Sequence, residues 1–295
     1  MRLLQLCIAT VGAVLTMASC VCAYEVLIVQ SSRATAYDEA LHGVRAMRRF
    51  SERLLVLSDY THADIQRIIR EEHPKLIVAL GDNAYAVARK IRQLPVVVLM
   101  APNYRGGSGG HPALTGVTLY LPPERYLILF HAMKLHRIGI LAHPGKSGQY
   151  IRWIQQVAAE YAVEPVVREV MSPRDVSGQL SSLQGKVDAL WLLPDDTAVA
   201  RETVEAYFLF SLQQQVPVIA FSGAYLQSGA AVAFDLNRYD MGRQAGDMVA
   251  ALLDGEEVAD LPVEFPRKAV VKTNPTVLRR LGLEYGNLTK GAEGR

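Results

Sequence analysis

The sequence predicts an α/β protein built as two lobes, each a Rossmann-like parallel sheet covered by helices, with a ligand cleft between them. Three observations carry that expectation. Short apolar runs alternate with segments of helical period, the alternation stops at a stretch rich in glycine and proline, and it then starts again.

In the first half the apolar runs are Val26–Val29, Leu54–Leu57, Leu76–Leu80 and Val96–Leu99. They are apolar at every position, as strands must be when helices cover both faces of a sheet. Between them Leu41, Val44 and Met47, then Ile65, Ile68 and Ile69, recur at spacings of three and four, the mark of amphipathic helices. The interruption is APNYRGGSGGHPALTG (101–116), which reads as a linker. Beyond it, Ile138–Leu141, Val166–Val170, Ala189–Leu193 and Val216–Ala220 read as a second set of strands. Ile151, Ile154, Val157 and Tyr161 mark one helix among them, and Val204, Phe208 and Leu212 another. A helix with Met241, Ala245, Met248, Val249 and Leu252 on one face follows, then a short strand (Ala269–Lys272) and a helix (Thr276–Leu281). A lone helix after two finished sheets has to pack onto one of them, so the chain is expected to cross between lobes more than once, with 238–253 on the N-terminal lobe. The lobe assignment is 24–118 with 237–256, and 119–236 with 257–290. The final NLTKGAEGR is polar and expected to fray.

The first 23 residues read as a secretory signal: Arg2, an apolar stretch from Leu3 to Met17, then small residues. Val21-Cys22-Ala23 fits a cut before Tyr24, while Met17-Ala18-Ser19-Cys20 resembles a lipobox that makes Cys20 a lipid anchor. Soluble export to the periplasm is favoured, because the strand-like YEVLIV leaves almost no tether. Cys7, Cys20 and Cys22 are the only cysteines. A chain cut after Ala23 therefore has no disulfide, thiolate nucleophile or cysteine-ligated metal. A formal charge of +2 gives no electrostatic case for nucleic acid. No cofactor is expected, and the chain reads as a monomer.

Several catalytic patterns fail on context. Gly106-Gly107-Ser108-Gly109-Gly110 fits G-x-S-x-G but lies inside the glycine-rich stretch rather than between a strand and a helix. Gly145-Lys146-Ser147 lacks the leading glycine of a P-loop, since position 140 is isoleucine. His131 and His136 do not form a zinc pattern. Polar strand-to-helix turns remain, and ligands of open α/β sheets bind there. These are Gln30-Ser31-Ser32 and Gly81-Asp82-Asn83 in the first half. In the second they are His143 to Ser147, Asp195-Asp196-Thr197 and Ser222-Gly223. Helix capping explains any one of them, but it does not need two adjacent aspartates. Asp195 is expected to face the cleft while Asp196 or Thr197 caps.

The stretches WLLPDDTAVARETVEAYFLFSLQQQVPVIAF and SGAAVAFDLNRYDMGRQAGDMVAALLDGE resemble the ABC transporter substrate-binding protein family whose members include tryptophan and tyrosine binders. LTGVTLYLPPERYLILF and HRIGILAHPGKSGQYIRWIQ do too, so the resemblance covers most of 75–275. It implies a type I periplasmic-binding-protein fold with three crossover segments, a small-molecule ligand in the cleft and an inner-membrane ABC permease as partner. The candidate ligand contacts are Ser31, Ser32, Asp82, Asn83, Asp195, Asp196, Thr197, Ser222 and Asp235, with Tyr37, Tyr104, Phe221 or Tyr225 stacking on an aromatic part. Asp82 departs from the small or hydroxyl residues usual in the family and opposes a ligand carboxylate. A non-transport sensor or interaction module of the envelope is the alternative. An enzyme is disfavoured, because no base and nucleophile are paired.

Overall fold

The computed structural model describes residues 24–104 and 113–283. The signal-like segment, the glycine cluster 106–110 and the polar tail lie outside them. The first sheet contains β1 (Val26–Gln30), β2 (Glu52–Val56), β3 (Leu76–Leu80), β4 (Val96–Leu99) and β5 (Leu114–Gly116). All are parallel, in the order β2-β1-β3-β4-β5, with Val26 level with Glu52 on one side and Leu76 on the other.

The second sheet contains β6 (Arg137–Ala142), β7 (Glu164–Glu169), β8 (Ala189–Trp191), β9 (Val218–Ala220), β10 (Val232–Leu236) and β11 (Ala269–Thr273), in the order β11-β10-β9-β8-β6-β7. Its first five strands in chain order repeat the pattern of the first sheet. Only β11 is antiparallel, pairing Val232 with Thr273. The sheets are parallel as expected except at that edge, which the chain reaches from the segment returning past the first sheet.

The apolar runs are strands because both faces are covered. On one face of the first sheet Val26, Ile28, Val78 and Val97 pack under α1 (Thr35–Met47). On the other, Leu27, Val29, Ile77 and Val98 pack under α2 (Ile65–Glu72) and α3 (Asp82–Ala88). At the outer strand β2 the cover thins and Leu54 is exposed. Leu57, read as strand, instead opens a 3-10 turn. In the second sheet, α4 (Pro123–Ala132) and α5 (Pro144–Val157) cover one face. α6 (Val176–Ser181) and α7 (Val204–Gln214) cover the other, and the four-residue α8 (Tyr225–Ser228) follows β9.

α9 (Arg238–Leu253) leaves the second sheet and lies on the first, where Met241, Ala245, Met248 and Val249 join the cluster of α1. Glycines set the approach of these two helices. A Cβ on Gly242 sits 1.9 Å from the Ala40 carbonyl oxygen, and one on Gly43 sits 2.1 Å from that of Tyr239. The chain then returns past β5, Glu264 bridging Val117, and ends through β11 into α10 (Pro275–Arg280).

The described ends of the stretch read as a linker, 101–104 and 113–116, both belong to the first lobe. Ala101 and Tyr104 are buried in the first lobe, and Leu114–Gly116 is that lobe's fifth strand. The change of lobe comes after Gly116, through Val117–Leu121.

Candidate functional site

The strand-end turns of the two sheets meet. β4 ends in Met100 and Ala101, and the loop that follows carries Asn103. Its backbone N–H and side-chain amide donate to the two oxygens of Asp82 at 2.8 and 2.9 Å. The same amide donates to Asp196 Oδ2 at 2.9 Å. Asn103 therefore touches a carboxylate from each lobe. On the far side Lys146, in the first turn of α5, donates to Asp196 Oδ1 and, at 2.7 Å, to Thr197 Oγ1. Asp82, Asn103 and Asp196 carry further contacts besides these.

Asp195 and Asp196 have the reverse of the expected roles. Asp195 is 1% exposed. Its Oδ1 accepts from the N–H groups of Thr197 and Ala198 at 3.0 and 3.1 Å, and its Oδ2 from His143 N at 2.9 Å and Ser147 Oγ at 2.5 Å. Four donors fill the carboxylate, so it fastens the β8 turn to the β6 turn and offers nothing to a cleft. Asp196 is the half-exposed one. No helix starts at the pair either: Asp195 closes an isolated turn, and α7 begins only at Val204. The Asp195 knot reaches into the crossover, because Ser147 also contacts the Tyr120 hydroxyl at 3.2 Å.

The remaining candidates divide. Ser31 is buried, and its hydroxyl accepts from Ala84 N at 3.0 Å, closing the start of α3. Gly81 just before that helix has φ of 87°, and a Cβ there lies 2.4 Å from the Tyr37 hydroxyl. That packing brings Tyr37, half-buried, beside Ser31 and Asp82. Burial first, and then the negative charge of Asp82, raise the Tyr37 hydroxyl above its ordinary value, so it stays protonated. The Ser32 carbonyl accepts from Gln30 Nε2, and Asn83 points outward as an exposed residue of α3. Ser222 Oγ accepts from Ala224 N at 3.4 Å. Asp235 Oδ1 accepts from Gly223 N at 3.1 Å and Oδ2 from Lys272 at 2.5 Å. Burial raises this carboxyl, but the Lys272 and Gly223 hydrogen bonds with the charges of Lys272 and Arg238 outweigh it, and the pKa is lowered.

Three of the four candidate stacking residues are packed within their own lobe. Tyr104 is 1% exposed and packs edge-on against Tyr85 inside the first lobe, its ring centroid 5.5 Å away. Phe221 and Tyr225 pack against each other and the second core. Tyr37 is the remaining candidate. Asn103 and Lys146 were not singled out from the sequence as contacts. Lys146 lies in a polar turn that was recognised, whereas Asn103 lies in the stretch taken for a linker. Among the described residues no group of three His, Cys, Asp or Glu side chains can hold a metal, and no helix is long and apolar enough to cross a membrane.

Residues 57–292 match the family of ABC transporter substrate binding proteins. The chain belongs to that family. Its members bind solutes rather than catalyse reactions. A tyrosine-binding protein of Clostridioides difficile is 23% identical over 175 residues, which is 58% of this chain and 50% of that protein. The chain thus matches half the length of this curated relative. Among solved structures, an ABC domain of Streptococcus pneumoniae in complex with L-Trp superposes with a TM-score of 0.67 at 17% identity, covering 91% of this chain and 98% of that one. The ligand-free, open form of a C. difficile substrate binding protein with adhesive properties gives 0.67 at 18%, covering 90% and 97%. These establish the two-lobed type I periplasmic-binding-protein fold.

Proposed function

We propose that this family member is the exported solute receptor of an ABC uptake system and closes its two lobes on a small polar or amino-acid-like molecule. The observation that supports this reading best is the polar line Asp82–Asn103–Asp196–Lys146, which crosses from strand ends of one sheet to strand ends of the other. A solute held there touches both lobes at once. Its binding energy then favours the closed arrangement over the open one. Asp196 accepts from an ammonium or hydroxyl of the ligand, Asn103 and Lys146 supply donors, and Tyr37 offers a ring face. The names of the related proteins favour an aromatic amino acid or a relative of one. The signal-like first 23 residues support export to the periplasm, where a permease of the inner membrane takes the solute.

The direct test is a thermal-shift screen against amino acids, nucleosides and small amines, with native mass spectrometry of the purified protein. One class should raise the melting temperature by several degrees, and Asp196→Asn should remove that rise. A chain that melts identically with every compound argues against the reading. The second reading, an envelope interaction module without transport, draws on the adhesive properties of one structural relative. It predicts surface binding that survives loss of the permease genes.

A further inference from the structure

A cavity of about 440 Å³ lies between α5 and the returning segment that carries Phe265, and its lining includes none of the charged residues of the cleft turns. Its apolar lining is aromatic. Tyr120 and Tyr150 are buried with ring centroids 4.6 Å apart, Trp153 stands edge-on to Tyr150 at 6.1 Å, and Phe265 tilts over Trp153 at 5.4 Å. Its rim carries Arg152 with Gln149 and Gln156, three side chains on one side of α5. Among the described residues none of these three side chains has a hydrogen bond or ion pair, whereas Arg33, Arg45, Arg48 and Arg137 are held by carboxylates. The two walls come from different parts of the chain. Trp153 rides on α5, whereas the Phe265 carbonyl is held at 3.0 Å by Gln244, a buried residue of α9 on the first lobe.

We infer that this cavity is a second binding site, for a small aromatic anion. Its volume is in the range of ligand pockets, and an aromatic lining with few polar groups is their usual composition. Rings of a ligand pack against the aromatic wall that Phe265 and Trp153 form together, in offset or edge-on geometry. A carboxylate or sulfonate on the ligand takes the free guanidinium of Arg152 in a charge-assisted pair, with the glutamine amides as further donors. A cation meets no carboxylate in the lining. The charge preference at this site therefore comes from Arg152, not from the acidic residues of the cleft.

Titration calorimetry with naphthalene-2-sulfonate and with its cationic counterpart 2-naphthylmethylammonium tests this. The sulfonate should bind at one saturable site with a dissociation constant of about 1 mM or tighter, and more tightly than the ammonium. Arg152→Gln should weaken it about tenfold, the loss of one charge-assisted contact. Phe265→Ala should weaken it similarly. Both side chains are exposed, so melting temperatures should hold. Asp196→Asn should leave sulfonate binding unchanged, which separates this site from the cleft and its result from that of the solute screen. The inference is overturned by absent saturation at millimolar sulfonate, by equal affinity for both probes, by an unaffected Arg152→Gln variant, or by a loss in Asp196→Asn that matches Arg152→Gln.

Discussion

The two lobes share one strand order and fill it with different chemistry. The first sheet is packed almost wholly with Val, Ile, Leu and Ala, and among the described residues Tyr104 is its one fully buried aromatic. Around the second, Trp191 stacks within 4.5 Å of Tyr126, and Phe130, Phe234 and Tyr150 complete the cluster. The aliphatic lobe borrows a helix, α9, to cover itself, and the aromatic lobe adds an antiparallel strand. The difference teaches that this topology depends on where apolar residues recur, not on which ones they are. Composition decides how each lobe responds to damage.

The largest effect should come from Trp191→Ala, which opens a hole at the centre of the aromatic cluster and should cost about 3–5 kcal/mol by urea unfolding. Hydrogen exchange should place the loss in the second lobe. An unchanged midpoint would mean that the cluster repacks, and that the lobes differ less than their residues suggest. Gly242→Ala is the counterpart in the first lobe. The added methyl runs into the Ala40 carbonyl, forces α9 away from α1 and should cost about 1–3 kcal/mol. Faster exchange should then appear in β1 and β3 rather than in β8.

Asp195→Asn should cost about 1–3 kcal/mol, because an amide has one acceptor oxygen, so its NH2 group must face either the Thr197 and Ala198 N–H groups or the His143 N–H and Ser147 hydroxyl. Asp196→Asn should shift the melting temperature little but weaken the solute about tenfold, the worth of a charge-assisted contact. If the two variants behave alike, the division of labour between the neighbouring aspartates is wrong. The smallest effect concerns acid. The folded pKa of Asp235 is below the ordinary 3.8, so its stabilisation is present above that value and is lost as the pH falls through the lower folded one. Asp235→Asn should therefore flatten the decline in melting temperature below about pH 4.

The same contrast explains what the sequence made legible. Val26–Val29 and Leu76–Leu80 are apolar throughout because both faces are covered, and that signal survives without any structure. The edges are harder to read. β5 and β10 carry weak signals, since Leu-Thr-Gly is too short to show a period and the apolar run of Val232–Leu236 is broken by Asp235. At the site, the turn Asp195-Asp196-Thr197 was legible but its orientation was not. Which of two adjacent carboxylates turns inward depends on donors at His143 and Ser147, some fifty residues earlier. Asn103 is hard to read for a related reason: glycines beyond it mark a loop, and nothing local marks it as a side chain that reaches the other lobe.

The docking of α9 on α1 also sets a timetable. The strands of the first sheet and α1 leave the ribosome early, but the helix that covers one of their faces begins only at Arg238, roughly 190 residues after α1 ends. At ordinary elongation rates of about 5–20 residues per second, that face stays bare for roughly 10–40 s. Once Leu99 is made, it forms with Leu41 and Val44 an apolar surface that α9 does not yet cover. A nascent chain of this design has to be shielded by something else until its last third is made, and any truncation before residue 238 leaves the first lobe adhesive rather than folded.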